Sequence, residues 1–511
     1  MANFKENSSE QGMFIPVCFK EQLIPGTIEY AIYDIAEKYI DTEKLEKRYK
    51  NDSSGRKAYS PKTLIKIILL AYSKGIFTSR RIEKLCKENI MFMAISGNAQ
   101  PDHSTIAAFI SSMNEEVMNI FSDILFRCAQ LDLIGGEIFA VDGCKIPSNA
   151  SKEYSGTFKE LENKKEKLKK VVQNLIKQHE ENDTISDADF ERRINKYEDK
   201  IKKINEFLIN NKPRKGATGK EIKSNITDNE SGKIKSKSGF IQGYNGIAAV
   251  DDKSQVIISA EAFGAGYEGQ FLKKIIDNTE NNLQEAGFED GLKEKTVIAD
   301  TGYFTEENCK LLEEKNIDGY IPDTQFRKRD PRFPKDNPHK KYKIFHKEDF
   351  TYNEEKNCYI CPAGKILKYD GRINNNGYIG RRYKSDKKYC SSCKLKNKCL
   401  QKNSQVRNLY ITEISPKKNY SAKMIDKIDT VEGRNIYSKR MGIVEPVFAN
   451  ITFHKGMNRF TLRGKNKVNI QWILYCCVHN IGKIANIIVN YFCFRFFQAA
   501  NRNEYAFLHA F

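Results

Sequence analysis

The sequence predicts a mixed α/β protein, and three features lead to this prediction. Helical patterns fill the N-terminal part, and two apolar runs each lead directly into an aspartate. From Phe240 onward, strand and helix patterns alternate. At 511 residues the chain is several times longer than a common domain. We therefore expect a mixed-sheet core with a helical N-terminal domain, an inserted coiled-coil hairpin and a small Cys-rich β insertion.

The chain carries a strong positive charge. It has 85 Lys and Arg against 66 Asp and Glu, a formal net charge of +19. Lys and Arg are the side chains that contact phosphates, so this balance favours a polyanionic partner, with nucleic acid first. Solvated Lys-rich helices that bind nothing would produce the same excess.

Neither a signal peptide nor a membrane span is predicted. The N-terminus has no apolar core, and polar and charged residues interrupt the most apolar stretch, Ile470–Phe497. Without an export signal the thirteen cysteines are expected to stay reduced, which makes clustered ones metal ligands or core residues rather than disulfides.

The N-terminal part contains three helix-start signals. Ser60 precedes Pro61, a residue suited to the first turn, and further starts are expected at Thr78 and near Asp102. Short helices with tight polar joints suit a DNA-binding module, and they suit an ordinary helical bundle equally well.

Two apolar strands are expected to deliver carboxylates. The run Ile138–Val141 ends in Asp142, and Val297–Ala299 ends in Asp300. A buried carboxylate at a strand end costs free energy unless its charge is compensated, and a divalent cation compensates it well. Either aspartate alone could simply cap a turn, and the pair Asp251–Asp252 is a weaker alternative that also suits a hairpin turn.

Heptad spacing predicts an inserted arm. Leu161, Leu168 and Leu175 are one heptad apart, and a second series steps alternately by four and three: Phe190, Ile194, Tyr197, Ile201, Ile204 and Leu208. The short break at 182–186 predicts that the two helices fold back as an antiparallel hairpin.

A cysteine cluster follows the second aspartate. Cys358-x-x-Cys361 and Cys390-x-x-Cys393 are separated by 28 residues, and Cys399 comes after five more. Paired knuckles of this kind fit a tetrahedral, structural Zn²⁺ in a small β-rich insertion around a turn at Asn374–Gly377. Cys399 could replace one ligand, and free reduced thiols are the alternative to a metal site.

A third acid, Glu445, lies within a basic stretch. Two metal ions about 3.5 to 4 Å apart activate the attacking oxygen and neutralise the leaving oxygen of a phosphodiester when carboxylates bridge them. Magnesium prefers such oxygen ligands. Basic or aromatic residues on both sides of the acid are candidate DNA contacts: Tyr437, Arg440, His454, Lys455, Arg459 and Arg463.

The acidic segments resemble the three motifs of DDE transposases from bacterial insertion sequences. The resemblance lies in Phe139–Gly143, Val297–Phe304, and Tyr437–Arg440 with Val444–Phe448. It extends to three further segments: Pro101–Thr105, Ser236–Asn245 and Arg459–Gly464.

The resemblance implies a ribonuclease-H-like catalytic domain with Asp142, Asp300 and Glu445 as catalytic residues. It implies two Mg²⁺ (or Mn²⁺) ions held by these acids, with Tyr437 and Arg440 at the phosphate. The family often has a Lys about two turns after the Glu, where this chain has Thr452. Pro446 disfavours a helix at Glu445, so we expect a helical segment to begin there.

The function implied is transposition. The enzyme would bind terminal inverted repeats of double-stranded DNA, cleave them and transfer the strands to target DNA, as a homodimer in the bacterial cytoplasm at the nucleoid. A ribonuclease-H-like nuclease without strand transfer and an inactive DNA-binding regulator are the alternatives. The expected layout is a helical DNA-binding domain at 1–130, catalytic residues 131–350 with the hairpin at 156–210, the Cys-rich insertion at 351–405, the rest of the catalytic domain at 406–490 and a tail at 491–511.

Overall fold

The computed structural model describes most of the chain, in nine stretches: residues 18–49, 57–181, 186–216, 219–236, 239–333, 344–375, 378–400, 404–412 and 420–501. It divides into two compact units, Met1–Ile321 with Asn435–Phe511, and Pro322–Arg434. In the part described, no helix has the length and apolar character needed to cross a membrane.

Helices form the N-terminal part of the first unit, as predicted: α1 Ile28–Lys38, α2 Glu43–Glu46, α3 Pro61–Ser73, α4 Ser79–Glu88, α5 Ile90–Ser96, α6 His103–Ser112 and α7 Glu116–Gln130. The three predicted starts are confirmed by α3, α4 and α6. Asp102 caps α6, since its side chain accepts a hydrogen bond from the amide of Thr105 at 2.7 Å.

The strands of the first unit are β1 Ile138–Pro147, β2 Ser155–Gly156, β3 Arg214–Lys215, β4 Glu221–Ile222, β5 Ser224–Asn225, β6 Gly232–Ser236, β7 Gly239–Asp251, β8 Ile257–Phe263, β9 Thr296–Ala299 and β10 Asp318–Tyr320. The main sheet has β8, β7, β1, β9 and β10 side by side, with β6 on the start of β7.

The pairing directions identify the sheet type. β7 is antiparallel to both β1 and β8, whereas β9 and β10 run parallel to β1. When these five main strands are numbered along the chain, they lie in the order third, second, first, fourth, fifth. This is the mixed sheet of a ribonuclease-H-like core. The predicted fold class is confirmed.

Later helices complete the first unit: α8 Phe158–Glu181, α9 Asp187–Asn210, α10 Leu272–Glu285, α11 Glu306–Glu314, and, after the second unit, the end of α16 Val431–Ala449 and α17 Lys465–Asn501. α17 packs on β8 and on α3 and α7. Its polar side chains are bonded to the sheet, since Trp472 donates to the carbonyl of Ile247 and Asn480 bonds both backbone groups of Ile257. Buried polar groups on this helix therefore fasten it to the strands that position the site.

The predicted coiled-coil arm is confirmed by α8 and α9. Their antiparallel contact is visible at both ends, where the ring of Phe158 lies 6.0 Å from that of Phe207 and His179 stacks on Phe190 at 3.8 Å. Most of the predicted break, residues 182–185, lies outside the described residues.

The second unit contains α12 Phe326–Arg329, β11 Thr351–Asn353, β12 Cys358–Ile360, β13 Ile366–Asn375, β14 Tyr378–Ser385, α13 Lys387–Ser391, α14 Lys396–Cys399, β15 Asn408–Thr412, α15 Tyr420–Ile428 and the start of α16 Val431–Ala449. Its five strands pair in sequence order as an antiparallel sheet. The β-rich character predicted for the Cys-containing segment is confirmed, and the predicted turn at Asn374–Gly377 lies partly outside the described residues.

Two local predictions are wrong. β1 does not end at Asp142 but continues to Pro147, because β7 pairs with it along the whole length. No helix begins at Glu445, because α16 already begins at Val431 and runs through Pro446.

A side chain from outside the helix compensates for this proline. Pro446 has no amide hydrogen to donate to the carbonyl of Gly442, four residues earlier. Gln255 supplies the missing donor, since its Nε2 lies 2.9 Å from that carbonyl oxygen. The exposed Gly442 carbonyl thus keeps a protein donor where the proline supplies none, and α16 continues through Pro446.

Candidate active site

The two aspartates lie side by side because of strand register. β9 is parallel to β1, and Val141 pairs with Ala299 at the last position of their ladder. Asp142 and Asp300 each follow directly, so they occupy matching positions on neighbouring strands. The predicted meeting of the first two acids follows from this arrangement.

Arg440 of α16 lies opposite both carboxylates. Its Nη1 is 2.5 Å from Asp142 Oδ2, and its Nη2 is 3.9 Å from Asp300 Oδ1. One guanidinium therefore faces two carboxylates whose mutual repulsion would otherwise be uncompensated. Tyr437 lies one turn earlier, with its ring centre 6.0 Å from the guanidinium carbon of Arg440.

Burial dominates the electrostatics of Asp142. It raises the pKa of this carboxyl from 3.8 to about 6, while Arg440 and the amide of Gly143 act in the opposite direction. The charges of Asp300 and Glu268 add to the rise. Asp142 is thus an anion held in a site that does not stabilise its charge fully.

A third carboxylate near the pair was not predicted from the sequence. Glu268 is buried, accepts a hydrogen bond from Asn245 at 3.0 Å and forms an ion pair with Lys145 at 3.3 Å. Asn245 and Lys145 are register partners on β7 and β1. These three side chains form a polar group next to Asp142, which we call the Glu268 cluster.

Two glycines of the acidic motifs make room for this cluster. A Cβ on Gly143 would lie 2.6 Å from the Asn245 side chain, and a Cβ on Gly302 would lie 2.5 Å from Glu268 Oε2. Both distances are shorter than real Cβ contacts. The glycines that follow Asp142 and Asp300 are therefore required by the neighbouring side chains.

A buried hydroxyl also belongs to this region. Tyr303 is fully buried, and its hydroxyl has no hydrogen-bond partner among the described residues. Burial raises the pKa of Tyr303, and the negative charges of Glu268, Asp142 and Asp300 raise it further. A neutral phenol with an unused donor therefore lies among carboxylates.

Glu445 occupies an exposed flank of α16. Its carboxylate has no hydrogen-bond or ion-pair partner in the described part of the chain. Five residues at about 100° each place it roughly 140° around the helix from Arg440. Val444 and Val447 are buried on the side of Arg440, so the structure pairs the first two acids and leaves the third apart from them.

The predicted DNA contacts after Glu445 differ in exposure. His454 lies in a π-helical turn, Asn450–His454, and is exposed, as is Arg463. Burial lowers the pKa of Lys455. The Nε of Arg459 donates to the carbonyl of Ser148 at 3.1 Å, just after β1. His454, Arg459 and Arg463 are therefore exposed, whereas Lys455 is half-buried.

The predicted zinc ligands lie in the second unit. Cys358 is within β12, Cys361 follows that strand, and the remaining three lie in or near two short helices: Cys390, Cys393 and Cys399. Free thiols are found at all five positions.

The oxygen donors around Asp142 and Asp300 determine whether a divalent ion fits this site. Among the described residues no group of three or more His, Cys, Asp or Glu side chains is already arranged around a metal position. The donors present nevertheless suit a hard cation, since Asp142 and Asp300 converge on one positive group and the charge of Asp142 is under-compensated. Asp142 and Asp300 therefore fit a Mg²⁺ site, and Glu445 lies apart from them.

Two family models match the chain. One is described as "Transposase DDE domain" and matches residues 360–485, and the other, "Transposase domain (DUF772)", matches residues 20–112. Both models describe transposase domains, and together they indicate a DDE-type insertion-sequence transposase. Transposases of this type typically use a divalent metal ion, and the family implies DNA binding. A search of the curated proteins gave no match.

The matched regions place these features within the transposase. The first model includes Arg440 and Glu445, and the second covers helices α1 to α6. Asp142 and Asp300 lie outside both matches, and their assignment to the candidate site rests on the register of β1 and β9.

The Glu268 cluster was not predicted from the sequence, because a single Glu after a Gly-rich turn matches no recognised motif. The available signals were Gly143 and Gly302 in the first two motifs, because a glycine close to an acid in the sequence can indicate a close neighbour.

Proposed function

We propose that this transposase binds the terminal inverted repeats of an insertion sequence, cuts the phosphodiester at each end, and joins the freed 3′ hydroxyl to target DNA. The observation that supports it is the pair Asp142 and Asp300, at matching positions on parallel strands of a ribonuclease-H-like sheet and facing one guanidinium. Such a pair beside a phosphate-binding cation suits phosphodiester chemistry.

Asp142, Asp300 and Glu445 would hold two Mg²⁺ or Mn²⁺ ions. When bound, such ions lower the pKa of a water or hydroxyl nucleophile and neutralise the leaving oxygen. Glu445 would reach the pair only after a change in α16, because it now lies on the exposed flank of that helix.

Arg440 and Tyr437 would hold the scissile phosphate. A guanidinium binds a phosphate through two parallel N–H donors, which fixes orientation as well as supplying charge. Arg440 already lies within 3.9 Å of both acids, so a phosphate bound to it would lie against them. Tyr437, one turn away, would limit the movement of the guanidinium.

The Glu268 cluster would position Asp142. Lys145 and Asn245 fix the Glu268 carboxylate at the edge of the site. Its charge raises the pKa of Asp142, so Asp142 would release its proton and bind a cation at a pH set partly by Glu268. Glu268 is a positioning residue in this proposal and does not contact the DNA.

The N-terminal helices and the segment after the π-helical turn would grip double-stranded DNA. The net charge of +19 supplies the phosphate attraction, and Arg463 and His454 are exposed. Synapsis of two element ends would require a homodimer, acting at the bacterial nucleoid.

The test uses the full chain and a labelled duplex that carries one end of its own element. Wild type with Mg²⁺ should cut at the element boundary, and Glu445→Gln should cut no DNA while its affinity in a mobility-shift assay stays close to wild type. Glu432→Gln is the matched control, because Glu432 is an exposed glutamate at the start of the same helix. Cleavage retained in Glu445→Gln, or lost in Glu432→Gln, would contradict the assignment.

A supercoiled target plasmid in the same reaction separates the candidate activities. Joined products support transposition, cut ends without joined products support a nuclease, and DNA binding without any cleavage supports an inactive regulator. Asp142→Asn and Asp300→Asn should each abolish both cutting and joining.

A further inference from the structure

Four cysteines of the second unit border one pocket beside the small sheet. They come from three places, the turn after β12, the segment that ends α13, and the end of α14: Cys361, Cys390, Cys393 and Cys399. Apolar side chains such as Leu367 and Leu395 line the same pocket. Thiols from separate segments thus border a common pocket, which Lys365, Lys396 and Arg407 also line.

Cys358 does not border this pocket, and the strand explains why. Side chains alternate between the two faces along β12, so Cys358 and Ile360 share one face while Tyr359 and Cys361 share the other. Tyr359 and Cys361 both pack on the core of the second unit. The spacing Cys358-x-x-Cys361 therefore does not form a metal knuckle here, since a knuckle needs a turn between its two thiols.

The turn that does follow Cys361 has the expected form. The amide of Lys365 donates to the sulfur of Cys361 at 3.4 Å, and the backbone of the same two residues is bonded at 2.9 Å. Such an amide donor stabilises a thiolate that binds a metal ion.

The other thiols also have polar neighbours. Ser385 Oγ is 3.0 Å from the sulfur of Cys390. Cys361 and Cys399 both pack on the core of the second unit. Thiolates that border one pocket would repel one another, and a bound cation would relieve that repulsion.

We propose that the second unit binds one structural Zn²⁺ through four thiolates and without Cys358: Cys361, Cys390, Cys393 and Cys399. Zinc suits four sulfur ligands in a closed tetrahedral site, and reduced cysteines supply them. No three of these side chains are already arranged around an ion in the described part of the chain. Binding therefore requires the thiols to turn toward the common pocket, which couples the metal to the fold of this unit.

The experiment measures the metal directly and does not depend on transposition. Full-length protein purified without chelators should contain about one zinc per chain, with about four sulfur neighbours at about 2.3 Å by X-ray absorption at the zinc edge. Cys358→Ser should keep both values. Cys399→Ser should lose the zinc or retain only about three sulfurs, and Cys399→His should restore full zinc content, because a histidine can replace one thiolate.

The outcomes decide both the metal and the ligand set. A Cys358→Ser protein with fewer sulfur neighbours, or a Cys399→Ser protein with all four, would overturn the assignment. Wild type that contains iron or no metal would overturn the zinc itself. If Cys399→Ser does not fold, the comparison of wild type with Cys358→Ser and Cys399→His still gives the answer.

Discussion

Replacing Asp142 by Asn should stabilise the metal-free transposase while abolishing its activity. A carboxyl whose pKa rises from 3.8 to about 6 holds its charge at a cost. At about 1.4 kcal/mol for each tenfold change in proton affinity, the cost at pH 7 is roughly 3 kcal/mol. This value already includes the attraction of Arg440. Asp142→Asn removes the charge and keeps the shape, so it should gain up to about this amount.

The gain has a defined pH dependence. The folded protein keeps the Asp142 proton where the unfolded chain has lost it, so the stability of wild type falls as pH rises from about 4 to about 6 and is constant above. The difference between Asp142→Asn and wild type should therefore be full at pH 7 and vanish below about pH 4. With about 2.1 cal/mol/K of unfolding entropy per residue, roughly 3 kcal/mol corresponds to a Tm difference of about 3 °C.

The assay is thermal unfolding of the full chain, followed by fluorescence at several pH values in EDTA and again with Mg²⁺. Mg²⁺ at about 100 times its Kd should stabilise wild type by about 2.7 kcal/mol and leave Asp142→Asn almost unchanged, so the order of stability reverses or the gap closes. Asp290→Asn, at an exposed loop position, is the control and should change neither value. A metal-free Asp142→Asn protein that melts below wild type at pH 7 would refute the reasoning.

Three further predictions concern the surroundings of the site. Glu268→Gln should shift the rising limb of the pH profile of cleavage to lower pH without weakening DNA binding, and an unchanged profile would contradict a positioning role. Gln255→Ala should cost about 0.5 kcal/mol by urea unfolding, because it removes a hydrogen bond to the exposed Gly442 carbonyl, which water can replace in part. The cost should be smaller in a Pro446→Ala background, where the helix supplies its own donor, and equal costs would exclude this explanation. Arg463→Ala should lower the slope of log affinity against log salt by about one, and an unchanged slope would show that Arg463 makes no phosphate contact.

The pairing of two acids could be predicted from the sequence because it depends on a strong local signal. Two short apolar runs that each end in Asp indicate buried strands, and buried neighbouring strands in such proteins are commonly parallel. Parallel strands in register then place Asp142 and Asp300 together, as the ladder from Ile138 to Val141 shows. The heptads of the arm were equally informative, since a seven-residue repeat specifies a helix and a packing face at once.

Features that depend on distant partners could not be predicted. Where α16 continues through Pro446, the carbonyl that the proline cannot serve receives a donor from Gln255, which lies 187 positions away in the chain. The separation of Cys358 from the other thiols depends on β12 extending to Ile360, whereas the spacing alone suggested a knuckle. In both cases the tertiary structure differs from the structure that the local sequence pattern predicts.

Arg440 should make DNA binding and metal binding cooperative. Its ion pair with Asp142, at 2.5 Å, occupies a carboxylate that a metal ion would need. A phosphate offers the guanidinium a competing bidentate partner and thereby frees Asp142. The affinity of catalytically inactive Glu445→Gln protein for element-end DNA should therefore rise with Mg²⁺, and by linkage the metal affinity should rise equally with DNA.

The coupling can be measured by fluorescence anisotropy of labelled DNA with Mg²⁺ and with EDTA. Adding Arg440→Gln to the Glu445→Gln protein should weaken DNA binding and remove most of its dependence on Mg²⁺, because Asp142 then no longer has a competitor. Lys439→Gln, at the exposed neighbouring position, should weaken binding without changing that dependence. If the Mg²⁺ dependence survives Arg440→Gln, the guanidinium does not link the two equilibria, and Arg440 acts on the phosphate alone.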